Sequence, residues 1–412
     1  MPGLRPRLLI VPLAAAVALA AFAGPAPTCP FCGAINGKTL TGEVNDASMV
    51  LFGTLREPTL TKGDLNEGTT KLYIETAIKK HDILNDRNVA RVDGKGKYIV
   101  LDRYIPNVDG ERKYKFLVFC DVYKGKIDPY RGVSVPASSD IAKYLDGALK
   151  VKDAKPADRL RFFFDYLDSS DTEVSNDAYK EFAAADYRDY KDMARHLPPD
   201  RIAKWLTDSK TPGFRYGLYA SMLGHCGKDE HAKVLRGMLE DPERKALQGV
   251  DGILAGYVML RPKEGWAYLR GILADPSKEF NTRHAALRAV RFFHELRPDV
   301  VPPKELVEAA CLLLAQPDIA DIAVEDLRKW KVWDVSDRVL ALAGKESHDV
   351  PIVKRSILRY ALSCPKPEAQ KYVAAQRAKD PEGVADIEEL LKLETSSPAP
   401  PNPGAAAAKN KK

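Results

Sequence analysis

Two of the six cysteines stand close together in Cys29-Pro30-Phe31-Cys32-Gly33, and that spacing invites thiol chemistry. A Cys-x-x-Cys pair cycles as a redox dithiol when its first thiol is activated at a helix N-terminus, following a strand of a βαβ unit. Here an apolar N-terminal segment precedes the pair instead. The same residues are half of a tetrahedral zinc site, for which Cys120 and His81 are the further ligands on offer. The third reading is a structural disulfide that joins one of Cys29 and Cys32 to Cys120 or to its neighbour, a bond that export makes persistent. A c-type haem is excluded, because Gly33 occupies the position where that motif requires His. The disulfide reading is preferred, and no metal or other cofactor is expected.

His225, Cys226, Asp229, Glu230 and His231 form a second compact group of potential metal ligands, in what reads as a polar turn between helices. Arg328, Lys329, Trp330, Lys331 and Trp333 alternate cationic and aromatic groups near a helix end. Arg and Trp are favoured at interaction surfaces, which makes Arg328, Trp330 and Trp333 candidates for one. The chain has no Gly-x-Ser-x-Gly, no His-Glu-x-x-His and no Gly-x-x-x-x-Gly-Lys-Ser/Thr. Gly94-Lys95-Gly96-Lys97 precedes a strand and reads as a hairpin turn, not a phosphate loop. A non-enzyme is expected.

The elements that must position these residues divide the chain in two. Over residues 45–136 the signals are extended. Ser48 to Phe52 is a short apolar run stopped by Gly53. Leu72, Ile74, Thr76 and Ile78 alternate with Lys71, Tyr73, Glu75 and Ala77, the period of a half-buried strand. Tyr98 to Leu101, Tyr114 to Val122 and a short piece near Gly132 to Val135 follow, with Asp93-Gly94 and Asp109-Gly110 as hairpin turns. A helix is predicted from Asp140 to Leu149. About five strands and one helix suit a small antiparallel barrel better than a seven-strand sandwich. Cys120 shares its strand face with Phe116, Val118 and Val122, which predicts burial.

From Asp158 the period changes. Leu160, Phe163, Phe164 and Leu167 lie at i, i+3, i+4 and i+7, the stripe of a core-facing helix. Val234-Leu235-Arg236-Gly237-Met238-Leu239-Glu240-Asp241-Pro242 then recurs 34 residues later as Tyr268-Leu269-Arg270-Gly271-Ile272-Leu273-Ala274-Asp275-Pro276, with 6 of 9 positions identical. The Asp-Pro pair is expected to open the following helix, Asp as cap and Pro at the first helical position. Ala285 to Val290 and Ser356 to Ala361 read as first helices of successive pairs. A period near 34–36 with two helices per unit predicts an α-solenoid.

The second half thus looks like HEAT-type helical repeats. The first half is similar to the netrin-like (TIMP-type) module, an OB-related barrel. That likeness rests on cysteines near the mature N-terminus, the Val50-Leu51-Phe52-Gly53 strand, the Thr69 to Lys80 strand and the late Phe116-Leu117-Val118-Phe119-Cys120 strand. Together they resemble exported bacterial proteins that begin with Cys-Pro-Phe-Cys and end in HEAT-like repeats. The metalloprotease-inhibiting modules start directly with a metal-chelating Cys and tie it down with two further cysteines. Here Cys29 follows five mature residues and only Cys120 is available, so protease inhibition is not carried over.

The predicted organisation is a signal peptide at 1–23, a netrin-like/OB-type β-barrel at 29–150, a HEAT-like solenoid at 158–393 and a disordered Pro/Ala/Lys tail at 395–412. Arg5 and Arg7 precede an uncharged run from Leu8 to Ala23, which at about 1.5 Å per residue falls short of the ~30 Å hydrocarbon core. The mature chain is expected to be extracytoplasmic, periplasmic or secreted, and not membrane-spanning. A net charge of +6 without a basic field in the folded part disfavours nucleic acid. The function expected is non-catalytic binding or scaffolding, with a protein or peptide partner on the solenoid surface. The alternative is extracytoplasmic thiol-disulfide or metal handling through Cys29 and Cys32.

Overall fold

The structure is a computed structural model and describes residues 30–32, 37–61, 67–106, 113–241 and 248–396. The expected signal peptide, Cys29 and nearly all of the expected tail lie outside the described residues. Helix α1 (Leu40–Asp46) leads into strands β1 (Met49–Leu60), β2 (Gly68–Lys79), β3 (Ala90–Asp93), β4 (Gly96–Leu101), β5 (Tyr114–Tyr123) and β6 (Lys126–Pro136). They form one antiparallel sheet in the order β3-β4-β2-β1-β5-β6.

The alternation of side chains along β1 and β5 buries both faces of this sheet. Val50 and Phe52 of β1 and Leu117 and Phe119 of β5 point into a core shared with the helices, while Met49, Leu51, Val118 and Cys120 point into a second cluster with Leu72, Ile99 and Leu84. The predicted five-strand closed barrel is corrected to an open six-strand sheet, whose edges β3 and β6 do not pair. β3 is the unpredicted strand: only Ala90 of its four residues is buried, so it carries no apolar period. Helices cover one sheet face, which buries apolar surface without closure.

Gly53 does not stop β1. The strand shifts register against β2 at Phe52/Gly53, and a Cβ on Gly53 would lie 1.9 Å from the Tyr73 carbonyl oxygen, so the close approach there demands glycine. The same shifts break the predicted alternation of β2, placing Leu72 in one cluster and Ile78 in the other.

Helix α2 (Ile141–Lys150), one residue beyond the predicted span, packs on the sheet and leads into α3 (Pro156–Phe164) and α4 (Thr172–Ala184). There follow α5 (Tyr187–Ala194), α6 (Pro199–Thr207), α7 (Tyr216–Cys226), α8 (Asp229–Glu240), α9 (Val250–Leu260), α10 (Pro262–Ala274) and α11 (Phe280–Leu296). The chain continues through α12 (Pro303–Leu312), α13 (Ala320–Lys329), α14 (Ser336–Leu340), α15 (Pro351–Ser363), α16 (Pro367–Lys379) and α17 (Pro381–Ser396). Proline opens α3, α6, α10, α12, α15 and α16, where its missing N–H is not needed.

Odd-numbered helices pack on one another, α3 on α5, α5 on α7, α7 on α9, α9 on α11, α13 on α15 and α15 on α17. Even-numbered helices pair likewise, α6 with α8, α10 with α12 and α14 with α16. The two copies of the 34-residue repeat are α8 and α10, both in the even row. Asp-Pro opens the next helix as predicted at Asp380-Pro381, where Pro381 begins α17 and Asp380 Oδ1 accepts from the Gly383 N–H at 2.9 Å, but it does not do so after α10. Asp275 ends α10 and its Oδ1 accepts from the Ser277 N–H and hydroxyl at 2.9 and 2.6 Å, a turn four residues ahead of α11.

Candidate functional site

Helices α7 and α9 are buried all round, from Tyr216 to Leu223 and from Asp251 to Val258. Their composition permits it: α7 carries Gly217 and Gly224, and α9 carries Gly252 and Gly256. Cβ atoms on Gly252 and Gly256 would lie 2.4 Å from the Gly217 and Ala220 carbonyl oxygens, so the two helices meet backbone to backbone. Gly249, with φ +87°, ends the turn ahead of α9 and lies against Gly217.

The segment Pro30–Cys32 occupies the floor so made. Phe31 is 5% exposed, its ring centroid 4.6 Å from that of Phe292 on α11. A Cβ on Gly217 would lie 2.6 Å from the Phe31 carbonyl oxygen. Phe292 in turn meets Tyr187 of α5 edge-on at 5.2 Å and 90°, and Tyr187 meets Tyr190 at 5.0 Å and 86°. The aromatic wall therefore joins α5 to α11 across α7 and α9. The Tyr187 hydroxyl lies 2.9 Å from Nε2 of His225, and burial, with Arg297 and Arg195 nearby, pushes His225 down to about 3. His225 is thus neutral, and its hydrogen bond with the Tyr187 hydroxyl holds that ring in place. Tyr190 and Ser221 pair at 2.9 Å.

No family model matches the chain, and neither curated proteins nor solved structures show a significant match.

Cys32 is disulfide-bonded, whereas Cys120 is a free and fully buried thiol. Of the two disulfides expected for the N-terminal pair, the one to Cys120 is not formed: Cys120 sits in β5 opposite Met49 of β1, inside the second sheet cluster. Burial pushes its thiol up to about 12, with Asp121 and Asp128 acting in the same direction. His81 is turned to a structural task, its Nδ1 accepting from the Ile83 N–H at 3.1 Å. Among the described residues no group of three potential ligands could hold a metal. The His225 to His231 group is split accordingly. His225 faces Tyr187, His231 reaches Asp200 at 3.0 Å, and Asp229 pairs with Arg261 at 2.7 Å.

Arg328, Trp330 and Trp333 are engaged within the fold. Arg328 is 9% exposed and binds Glu325 and, from α17, Glu394; Arg359 binds the same two carboxylates. Trp330 stacks on His294 at 4.1 Å and 17°, and Trp333 meets Tyr360 edge-on at 5.3 Å. This quartet ends a ladder of charges along the odd helices: Asp251 to Arg288, Arg291 to Asp326, Glu325 to Arg359. The partners are 34–37 residues apart in sequence.

Sequence reasoning missed the buried carboxylate on which the first half rests. Asp177 of α4 accepts from the Leu40 and Thr41 N–H groups at 2.5 and 3.2 Å, the Thr41 hydroxyl at 2.8 Å and the Tyr144 hydroxyl at 3.0 Å. One turn on, burial raises Glu181 to about 7 against a hydrogen bond from Thr39. The Asp177/Glu181 pair at i, i+4 was readable, but nothing local assigns it to α1, 136 residues upstream. A cleft of about 510 Å³ also opens beside β2, with Ile74, Ala77 and Leu84 as apolar lining and Lys80, His81 and Lys97 as donors.

Proposed function

We propose that the protein is an exported, non-catalytic binding or scaffolding protein. Its helical half is read as a HEAT-like α-solenoid that holds polypeptide against the odd-numbered helices, and its sheet as an opened relative of the netrin-like, OB-related module. The single observation that carries this reading is the seating of Pro30–Cys32, a turn of chain outside any helix or strand, on α7 and α11 by an aromatic anchor and a glycine floor. The one-period stacking of the odd and even rows supports the solenoid, because each unit contacts mainly its neighbours.

The test is site-specific photo-crosslinking in the native envelope. Crosslinker at His284, Arg288 or Arg355, which lie on odd-numbered helices, should yield one discrete adduct that is absent when it is placed at Lys233 or Lys263 of the even row. Equal labelling from both rows, or none, would count against the reading.

Thiol-disulfide handling remains the second reading, favoured by one observation: Cys32 is in a disulfide while Cys120, Cys226, Cys311 and Cys364 are free. A redox role requires that disulfide to cycle with dithiothreitol near the thioredoxin range.

A further inference from the structure

The geometry points to a peptide-binding seat on α7, α9 and α11 whose ligand is a Pro-Phe turn anchored by phenylalanine, with the chain's own Phe31 as its resident in cis. This deepens the binding reading and rests on it.

Three features make the seat. The first is the ring wall. Phe292 meets Phe31 at 4.6 Å, and is itself held edge-on by Tyr187 at 5.2 Å and by Phe293 at 5.2 Å. Such a wall favours an aromatic ring over an aliphatic side chain, because tilted and edge-on ring pairs add to the burial of area. The second is the floor. Gly217 brings its backbone against the Phe31 main chain, and Gly249 packs behind it, with Cβ-to-atom distances of 2.6 and 2.5 Å that leave no room for side chains. A floor without side chains accepts the main chain of a Pro-Phe turn whatever residues flank it. The third is rigidity. Tyr187 is fixed through its hydroxyl to neutral His225, and Tyr190 to Ser221, so the wall stands before any ligand arrives.

The resident is a short turn. Pro30, Phe31 and Cys32 form a turn followed by a bend, outside any helix or strand, and the next described element is α1, held separately by Asp177. A segment attached in this way can be exchanged for a second one of the same chemistry without unfolding the helices. The partner is therefore a polypeptide carrying an exposed Pro-Phe turn, and the cis segment is its competitor.

The probe is the oxidised, fluorescein-labelled hexapeptide with the sequence of residues 28–33, read by anisotropy against the full mature chain. The Phe31→Ala chain is expected to bind it at least ten-fold more tightly than the parent. Replacing phenylalanine by alanine in the peptide should abolish binding, as should adding Gly217→Leu to the Phe31→Ala chain. If circular dichroism finds Phe31→Ala unfolded, Phe31→Leu, which loses the ring contact and keeps an apolar filler, takes its place with the same expected order. Equal affinity for parent and variant, or a peptide that binds as well without its phenylalanine, overturns the seat. Crosslinks that persist on the odd row while the peptide fails would remove the seat alone and leave the broader binding reading standing.

Discussion

Glu394 of α17 accepts two hydrogen bonds from the Arg328 guanidinium on α13, at 2.8 and 3.0 Å, across 66 residues of sequence. Glu325 serves Arg328 and Arg359 from the other side, so two guanidiniums and two carboxylates alternate. Helix α17 thereby continues the charge ladder of the odd row.

Glu394→Ala leaves two cations on one carboxylate, with Arg328 nearly buried. The expected loss is about 1–3 kcal/mol, between the values for exposed and buried pairs. Denaturant midpoints measure it, and hydrogen exchange should accelerate over 381–396 first. In a cycle with Arg328→Met the double variant should lose less than the sum of the singles; strict additivity would show that the pair does not hold α17.

Asp177→Ala should be among the most damaging single changes in the first half. It strips partners from two α1 N–H groups and two hydroxyls in a buried setting, at a cost of about 2–4 kcal/mol. Circular dichroism melts report it. A loss below about 0.5 kcal/mol would mean that water replaces the carboxylate and the site is not dry.

Glu181 should make stability depend on pH with an unusual sign. Its ordinary value is 4.5 and burial holds it at about 7, with Asp177 raising it further and Thr39 and Arg159 opposing. Between those values the folded state keeps a proton that the unfolded state releases, so stability declines as pH rises from about 4.5 to about 7. Against Glu181→Gln, the parent should lose on the order of 2 kcal/mol across that window. His225 acts oppositely, being held neutral down to about 3, but it is common to both chains and cancels in the difference. A flat difference curve refutes the assignment.

The helical half was legible because each of its signals is local. Leu160, Phe163, Phe164 and Leu167 are all buried as their spacing predicts, and the 34-residue match falls on two equivalent helices. The sheet was legible in its long strands and lost in its bulges: the register shifts at Gly53 and the four-residue β3 depend on cross-strand geometry, which period two does not encode. The β5–β6 turn at Lys124-Gly125, with φ of +50° and +73°, was signalled only by its glycine. Phe31 carries no signal beyond its place in the cysteine motif, because its seat is made by residues 186 or more positions away, Gly217 and Phe292. Arg328 was read as available because its partner, Glu394, lies on a helix at the boundary of the expected tail.

Thiol counting separates a structural bond from a redox pair. The native chain should react slowly at Cys120, Cys226 and Cys311, whose thiols burial pushes up to about 12, 12 and 11. Unfolded without reductant, it should expose the four free thiols, and after reduction all six. Fast native reaction of two thiols under mild dithiothreitol, with the other four silent, would shift the balance to the thiol-handling reading.

Glycine substitutions should split by row. On α9, Gly252→Ala puts a methyl 2.4 Å from the Gly217 carbonyl oxygen and 2.5 Å from its Cα, and both obstacles are backbone. Helices α7 and α9 must separate to admit it, at a cost of about 1–3 kcal/mol from overpacking, offset only by the better helix propensity of alanine. Gly237 on α8 and Gly271 on α10 occupy the matching position of the repeat, are exposed, and have nothing within 4 Å of a built Cβ. Gly237→Ala and Gly271→Ala should therefore each stabilise by about 0.5–1 kcal/mol, chiefly by restricting the unfolded chain. Melting temperatures of the three single variants decide the matter. Uniform stabilisation would mean that α7 and α9 do not meet backbone to backbone, and with that contact goes the floor on which Phe31 rests.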